Sequence, residues 1–537
     1  VLFNAGELRS GVFEMATIDG SGIINSEPIQ NLYDADHPQF STFGGYYGFI
    51  ANINELIYRC NNTNVLSDKV KNGLLGMAYG YRAFYYFQMY RMYGGVVLRI
   101  EPDVILGNYE ATLLYKGRST AEQTLKQIKD DIQKSLEYFA QTDYVYKSAS
   151  KDYYWTKAAT EMLAGEVYLW SGKVDTDDHQ ANPADVATAA TYFNNVINNY
   201  GFELQDDFYS VWTKPHNKES IFSVCYSSEN DGVYYTNPPY MLLWASTTGT
   251  SYLNYWSNMD QEGWGHVKGV ANRFGQWYDK ETGKSANIEI WDKTKFGPCR
   301  YTYKNSLYYQ FDEKDSRVNM FYPQWNLTKE ERDNNVKYLE NFDPKDGKHK
   351  LAGTFVCKFR PSIPNGSTYY TMVVDMPIYR LAMAYLYAAE CANYAGDNTA
   401  MMKYINKVRE RAYGSNWDEN VYGYKAGDFK ANETALMREW DKEFVAEGQR
   451  WWNLRRLTTV KGGSQKDHFV FQPEGCLGFG LDTAKNPWMV DINGNLIETN
   501  VPVLNGTTQD EHLLLWPLDK GLLGSDAELA DQQNPGY

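Results

Sequence analysis

Apolar side chains recur at helical spacing towards both ends of the chain and lose that spacing in the middle. Residues 46–60 place Ile50, Ile53 and Ile57 on one side of a predicted helix. The clearest helix is predicted over 70–93, where Leu74, Ala78, Tyr81, Tyr85 and Met89 form a stripe and Gly94-Gly95 supply a stop. Residues 119–140 continue the pattern through Leu125, Ile128, Ile132, Leu136 and Phe139, with Ser119 as the expected N-cap. Helices over 154–171, ending near Gly172, and 184–199 follow, with Ala158, Ala159, Ala164 and Gly165 where neighbours must approach closely. The periodicity returns over 376–395 and 398–412, joined by Gly396-Asp397. A long helix over 433–456 ends on Arg450, Arg455 and Arg456, cations that suit the negative end of a helix dipole. Helix, glycine turn and helix in succession is how tetratricopeptide pairs are built.

Residues 205–370 have a different texture, rich in Gly, Pro, Asn, Tyr and Trp, with β-like runs at Ile221–Tyr226 and Thr354–Phe359. No low-complexity linker bounds this stretch, so it reads as an insertion within one domain of 1–537. The expected organisation is N-terminal repeats over 46–204, an aromatic-rich insertion over 205–370, C-terminal repeats over 371–456 and a loop-rich segment over 457–537. The fold class is mainly α: tetratricopeptide-like repeats in a right-handed superhelix, with a large irregular insertion containing short β segments.

Composition narrows the function. The 537 residues carry 67 acidic against 52 basic side chains, a net charge of −15, which argues against nucleic-acid binding and against adhesion to anionic lipid. A mean hydropathy of −0.57 is polar for a folded protein, partly because of the 45 Tyr, which bury a ring and keep a hydroxyl for a partner. No apolar run approaches the ~20 residues of a spanning helix. No signal peptide is visible, because Val1 opens directly into folded-looking sequence; the numbering is expected to begin after a processed or disordered leader, and an anchoring Cys, if one exists, would lie before Val1. The six cysteines form no C-x-x-C pair and have no His at ligand spacing, so neither zinc nor another cofactor is expected; Cys60 and Cys391 fall on predicted helices as small buried hydrophobes. There is no G-x-S-x-G, H-E-x-x-H or P-loop. Carboxylate pairs of the glycosidase kind are inevitable in so acidic a chain and do not discriminate. Catalysis is not expected.

Four stretches together resemble the SusD/RagB family. Residues 82–95, RAFYYFQMYRMYGG, are similar to its R-A-Y-Y-Y-F followed by R-L-Y-G-G, with Val97 near the place of a usual Pro. Residues 377–412 resemble P-x-x-R-L-A-E, Y-A-E-A, a Gly turn and I-N-x-V-R-x-R-A, with Met383 in place of the usual Glu. Residues 438–456, REWDKEFVAEGQRWWNLRR, resemble R-x-E-R-x-x-E-L-x-x-E-G-x-R-x-x-D-L-R-R, with Asn453 where Asp is common. The tail supplies Leu514-Leu515 before Pro517 and ends Gln533-Asn534-Pro535-Gly536-Tyr537. These motifs read as structural: Tyr85, Phe87 and Tyr93 as helix packing, and Arg438, Glu439, Glu443, Glu447 and Arg450 as helix-face pairs of ~0.2–0.5 kcal/mol each.

The resemblance implies a lipoprotein held on the outer membrane by an N-terminal lipid anchor. It would act as a lid over a SusC-like TonB-dependent transporter and bind an oligosaccharide or polysaccharide, or in some members a peptide. No family motif assigns ligand residues. The residues themselves point to two places. Trp244, Tyr252, Tyr255, Trp256, Trp264 and Trp277 are interleaved with Asn, Ser, Thr and Gly, as sugar-stacking platforms would be; the other reading is that these rings fill the insertion's own core. In the loop 31–47, Tyr33 and Tyr46 are candidate platforms, while Asp34 and Asp36 are candidate acceptors for sugar hydroxyls or simple turn formers. An intracellular tetratricopeptide scaffold is a further alternative, disfavoured by the insertion and the tail motif.

Overall fold

The computed structural model describes residues 2–13, 31, 34–38, 43–103, 105–107, 110, 114–142, 152–224, 276–278, 285–288, 303–325, 330, 338–339, 345, 348, 350–356, 358, 375–490, 494–505 and 510–537. Its principal helices are α1 (Leu2–Glu7), α2 (Phe43–Asn61), α3 (Asp68–Tyr93), α4 (Ala121–Ala140), α5 (Lys157–Lys173), α6 (Ala184–Asn199), α7 (Leu381–Ala395), α8 (Asn398–Tyr413), α9 (Phe429–Glu443) and α10 (Arg450–Arg456). The strands are β1 (Ser220–Val224), β2 (Gln276–Tyr278), β3 (Ser285–Ile288), β4 (Phe321–Trp325), β5 (Tyr338–Leu339), β6 (Leu351–Val356) and β7 (Met376–Arg380). The protein is mainly helical, as the periodicity predicts. Successive helices pack as pairs, α3 on α4, α5 on α6 and α7 on α8, and α7 lies against α6 to join the two sets.

Local chemistry explains the boundaries. The Ser67 hydroxyl accepts the Val70 N–H to open α3, and Gly94 at φ 75° closes it. The start of α4 falls one residue later than expected: Thr120 is the cap, because Gln123 reciprocates it in a capping box, while Ser119 N–H donates to Val96 O at 2.9 Å. The stripe predicted for α3 is only part of its packing. Tyr81 and Tyr85 are half-buried, whereas Leu75, Tyr79, Arg82, Ala83 and Tyr86 on the other side are buried, because α3 is sandwiched between α2 and α4. A methyl group on Gly80 would lie 2.0 Å from Trp155 Nε1, and one on Gly165 2.5 Å from Phe193 Cε1, so these small residues set the helix spacing.

Two predicted helices are corrected. Residues 376–380 form β7, not the first turn of a helix: β7 pairs antiparallel with β1, Val224 facing Met376, and α7 begins only at Leu381. The helix expected over 433–456 is broken at 444–449, where Ala446 (φ 64°) and Gly448 (φ 72°) turn left-handed. The N–H groups freed there are taken up by the Glu7 carboxylate of α1, Ala446 at 2.9 Å and Gly448 at 3.2 Å.

The motif charges are corrected as well. Arg438 does pair along its helix with Asp441 at 3.1 Å, but most of the others join buried long-range networks. Arg317 meets Asp315 (2.8 Å), Glu439 (2.7 Å) and Glu443 (3.0 Å), while Arg380 meets Glu219 (2.9 Å), Glu443 (2.7 Å) and Glu447 (2.8 Å). Arg450 pairs with Asp441, and Arg456 reaches Glu390 at 3.0 Å. The larger core spans the paired helices. A second core gathers Leu8, Phe13, Trp212, Tyr303, Leu307, Phe321 and Leu477, so the part of the insertion near 303–321 is packed into the body of the protein.

Candidate functional site

The β1–β7 pair forms the base from which residues 225–375 leave and to which they return. Beside it, Asp-Tyr-Tyr-Trp at 152–155 leads into α5, whose N-cap is Thr156. Trp155 anchors the run: its indole is fully buried, donates to Thr160 Oγ1 at 2.8 Å and packs on Phe222 at 5.1 Å between centroids. Asp152 O accepts the Ser223 N–H at 2.8 Å, tying the run to β1. With the residues on either side held, Tyr153 and Tyr154 stand at the surface, 42% and 40% exposed, their centroids 4.5 Å apart. The ring of His216 lies 5.3 Å from that of Tyr153.

His216 is held at φ 50°, a conformation uncommon for any residue but glycine, and faces two carboxylates. Its Nδ1 is 2.7 Å from Asp152 Oδ1 and 3.8 Å from Asp375 Oδ2, and its backbone N–H donates to Asp375 Oδ2 at 3.1 Å. Burial raises the pKa of Asp152, with Asp375 adding to the rise and the His216 and Ser223 side chains opposing it. The result is a rim carrying two partly exposed rings and an imidazole, with two buried carboxylates behind it.

The stretch expected as a loop over 31–47 behaves otherwise, and its last residues, from Phe43, are the first turn of α2. Asp34 accepts the backbone N–H groups of Asp36 (2.9 Å) and His37 (2.7 Å) and meets His37 Nδ1 at 3.0 Å; that hydrogen bond to His37 holds its carboxyl below the usual range. Asp36 pairs with Lys520 at 3.1 Å, and both carboxylates are exposed. Tyr46 is a correction: it is buried in the larger core, edge-on to Tyr85 at 6.1 Å, and burial raises its pKa, so it presents no stacking face. Tyr33, Trp244, Tyr252, Tyr255, Trp256 and Trp264 lie outside the described residues. Trp277 stands in β2 opposite Ala286 of β3, its side chain outside the described residues.

Residues 218–537 match the model of the SusD family, and residues 14–169 match that of starch-binding proteins associating with the outer membrane. The chain belongs to the SusD family. A SusD superfamily protein from Bacteroides fragilis is 36% identical, with 99% of this chain and 94% of that one covered and a TM-score of 0.74. NanU of B. fragilis is 26% identical, covers 100% and 92%, and has a TM-score of 0.68. A SusD-like protein of Formosa agariphila is 22% identical over 408 residues, 71% of this chain; the match spans 66% of that relative's length.

The SusD motifs of the chain thus build the scaffold and do not form the rim. Arg82, from the first motif, is buried against Asp131 at 2.7 Å, and Asn534 in the tail donates to Tyr93 O (3.2 Å) and Trp516 O (2.7 Å). Tyr153, Tyr154 and His216 are not among the residues the sequence singles out, because the apolar pattern starts the helix at 154. The available signal was Thr156, which accepts the Ala159 N–H and so leaves both tyrosines outside the helix.

Proposed function

We propose that this SusD-family protein captures glycan at the cell surface without catalysis and delivers it to a SusC-like TonB-dependent transporter, tethered to the outer membrane by an N-terminal lipid anchor. The observation that carries the reading is the Tyr153–Tyr154 pair at the base of the aromatic insertion, two open rings beside hydrogen-bonding side chains. Pyranose C–H faces stack on such rings, at ~25 cal/mol per Å² of apolar surface covered. His216, the exposed member of the cluster, can orient a ring hydroxyl. A capture protein needs only about −4 to −8 kcal/mol, which two or three platforms and a few polar groups supply. Trp244, Tyr252, Tyr255, Trp256, Trp264 and Trp277 are proposed to complete the site, and the starch-binding description of the matching family model supports the ligand class. Among the described residues no helix is long and apolar enough to cross a membrane, which is compatible with a tether.

Isothermal titration calorimetry against starch, fructan, xylan, mannan and host-type glycans, with a peptide digest alongside, tests this. Saturable binding to one glycan with no new reducing ends is expected. Binding to peptide alone would replace the ligand class, and released product would overturn the non-catalytic role.

A further inference from the structure

Asp152, His216 and Asp375 come from three separate stretches of chain, and each offers one donor atom, all within 4.8 Å of one another. Two donors that each lie ~2.0–2.2 Å from an ion can be no more than about 4.4 Å apart, so the 2.7 and 3.8 Å separations from Nδ1 already fit and the widest pair needs a shift of a few tenths of an ångström. Asp152 is 2% exposed; its Oδ1 meets His216 Nδ1 at 2.7 Å, while its Oδ2 is buried with no hydrogen bond of its own. A buried carboxylate oxygen with unused capacity, facing a second carboxylate, lacks positive charge.

We propose that Asp152, His216 and Asp375 form a binding site for one divalent transition ion of the zinc or manganese class. One imidazole nitrogen with two carboxylates is a donor set for such ions, whereas calcium takes six to eight oxygens. A dication would neutralise both carboxylates, and Nδ1 would exchange its hydrogen bond to Asp152 for the ion. Three protein donors leave at least one coordination position open. His216 is the exposed member of the set and its ring lies 5.3 Å from that of Tyr153, so the open position is next to the rings proposed to stack on glycan, where a hydroxyl or carboxylate of the ligand would complete the shell. That last step rests on the glycan reading; the ion site itself does not.

The full chain, stripped with chelator, is titrated with ZnCl2, MnCl2 and CaCl2 by calorimetry in the absence of glycan, and with CoCl2 by visible absorption. One equivalent of zinc or manganese is expected to bind saturably, with affinity falling at least tenfold in H216A and in D375N and unchanged in H37A, which tests the exposed Asp34–His37 pair. Circular dichroism and thermal melts identify variants that have not folded, and H216Q serves if H216A has not. Absence of one-equivalent zinc or manganese binding, binding of calcium alone, or binding unchanged in H216A and D375N would overturn the site. Glycan titrations with and without chelator are run separately, so that loss of the glycan reading leaves the ion result intact.

Discussion

Arg380 and Glu443 meet at 2.7 Å with both side chains fully buried, although Arg380 closes a strand and Glu443, 63 residues later, closes a helix. Glu443 also holds Arg317 and Arg411, and Arg380 also holds Glu219 and Glu447. One network therefore fastens the β1–β7 pair, helices α8 and α9 and the break between α9 and α10. Removing one member leaves the others buried without their countercharge, which costs about 3–5 kcal/mol. Glu443→Gln is expected to lower the unfolding free energy by that amount in urea titrations, and a change under 1 kcal/mol would show that the network relaxes around the loss.

The same carboxylates give the protein an acid limit. Neighbouring guanidinium groups outweigh burial and hold Glu443 well below the usual carboxylate range and Glu439 down to about 2. A depressed folded-state pKa contributes stability above the unfolded value near 4.5 and loses it as pH falls through the folded value. Thermal melts are expected to drop steeply below pH 4.5, less so in Glu443→Gln.

Glu7 acts in the opposite direction. Burial raises it to about 7 against the Ala446 N–H, Arg450, Lys358 and Tyr303, which all pull it down. A raised carboxyl pKa contributes stability that is complete below 4.5 and lost as pH rises through 7, on the order of 3 kcal/mol for a fully buried group. Wild type is expected to lose stability between about pH 4.5 and 7, and Glu7→Gln to flatten that window. An unchanged slope would reassign it to another group.

Gly6 tests how α1 is seated. A methyl group there would lie 1.6 Å from Gly448 O, a backbone atom that no rotamer change can move. Gly6→Ala is expected to cost about 1–3 kcal/mol or more as α1 lifts from the α9–α10 break. Protease sensitivity of the amino terminus gives an independent reading.

At the rim, Tyr153→Ala and Tyr154→Ala are each expected to weaken glycan binding about fivefold, near 1 kcal/mol, with stability changed by less than about 0.5 kcal/mol because both rings are surface groups. Their centroids are 4.5 Å apart, so the double variant should fall short of additivity. Equal affinity in all three variants would place the ligand elsewhere.

Helices such as α2, α6 and α8 were legible to within a few residues because apolar spacing, caps and glycine turns are local properties. The family was legible because four motifs lie in order along the chain. β7 was not, since its apolar run also suits a helix and only pairing with β1, more than 150 residues earlier in the chain, selects the strand. Nor was the break after Glu443, which requires a carboxylate from residue 7. Tyr46 shows the same limit at a candidate site: its aromatic loop context pointed to a ligand, and packing against Tyr85 put it in the core.

The sequence by itself thus determined the mainly helical character, the acidic charge and membership of the SusD family, all of which depend on residue order and composition. Only the tertiary structure decided that most of the motif charges join buried networks, that Tyr153 and Tyr154 face outward, and that Asp152, His216 and Asp375 converge. Those features join residues tens to hundreds of positions apart, and burial, not residue type, sets whether a ring or carboxylate packs, pairs or stays open.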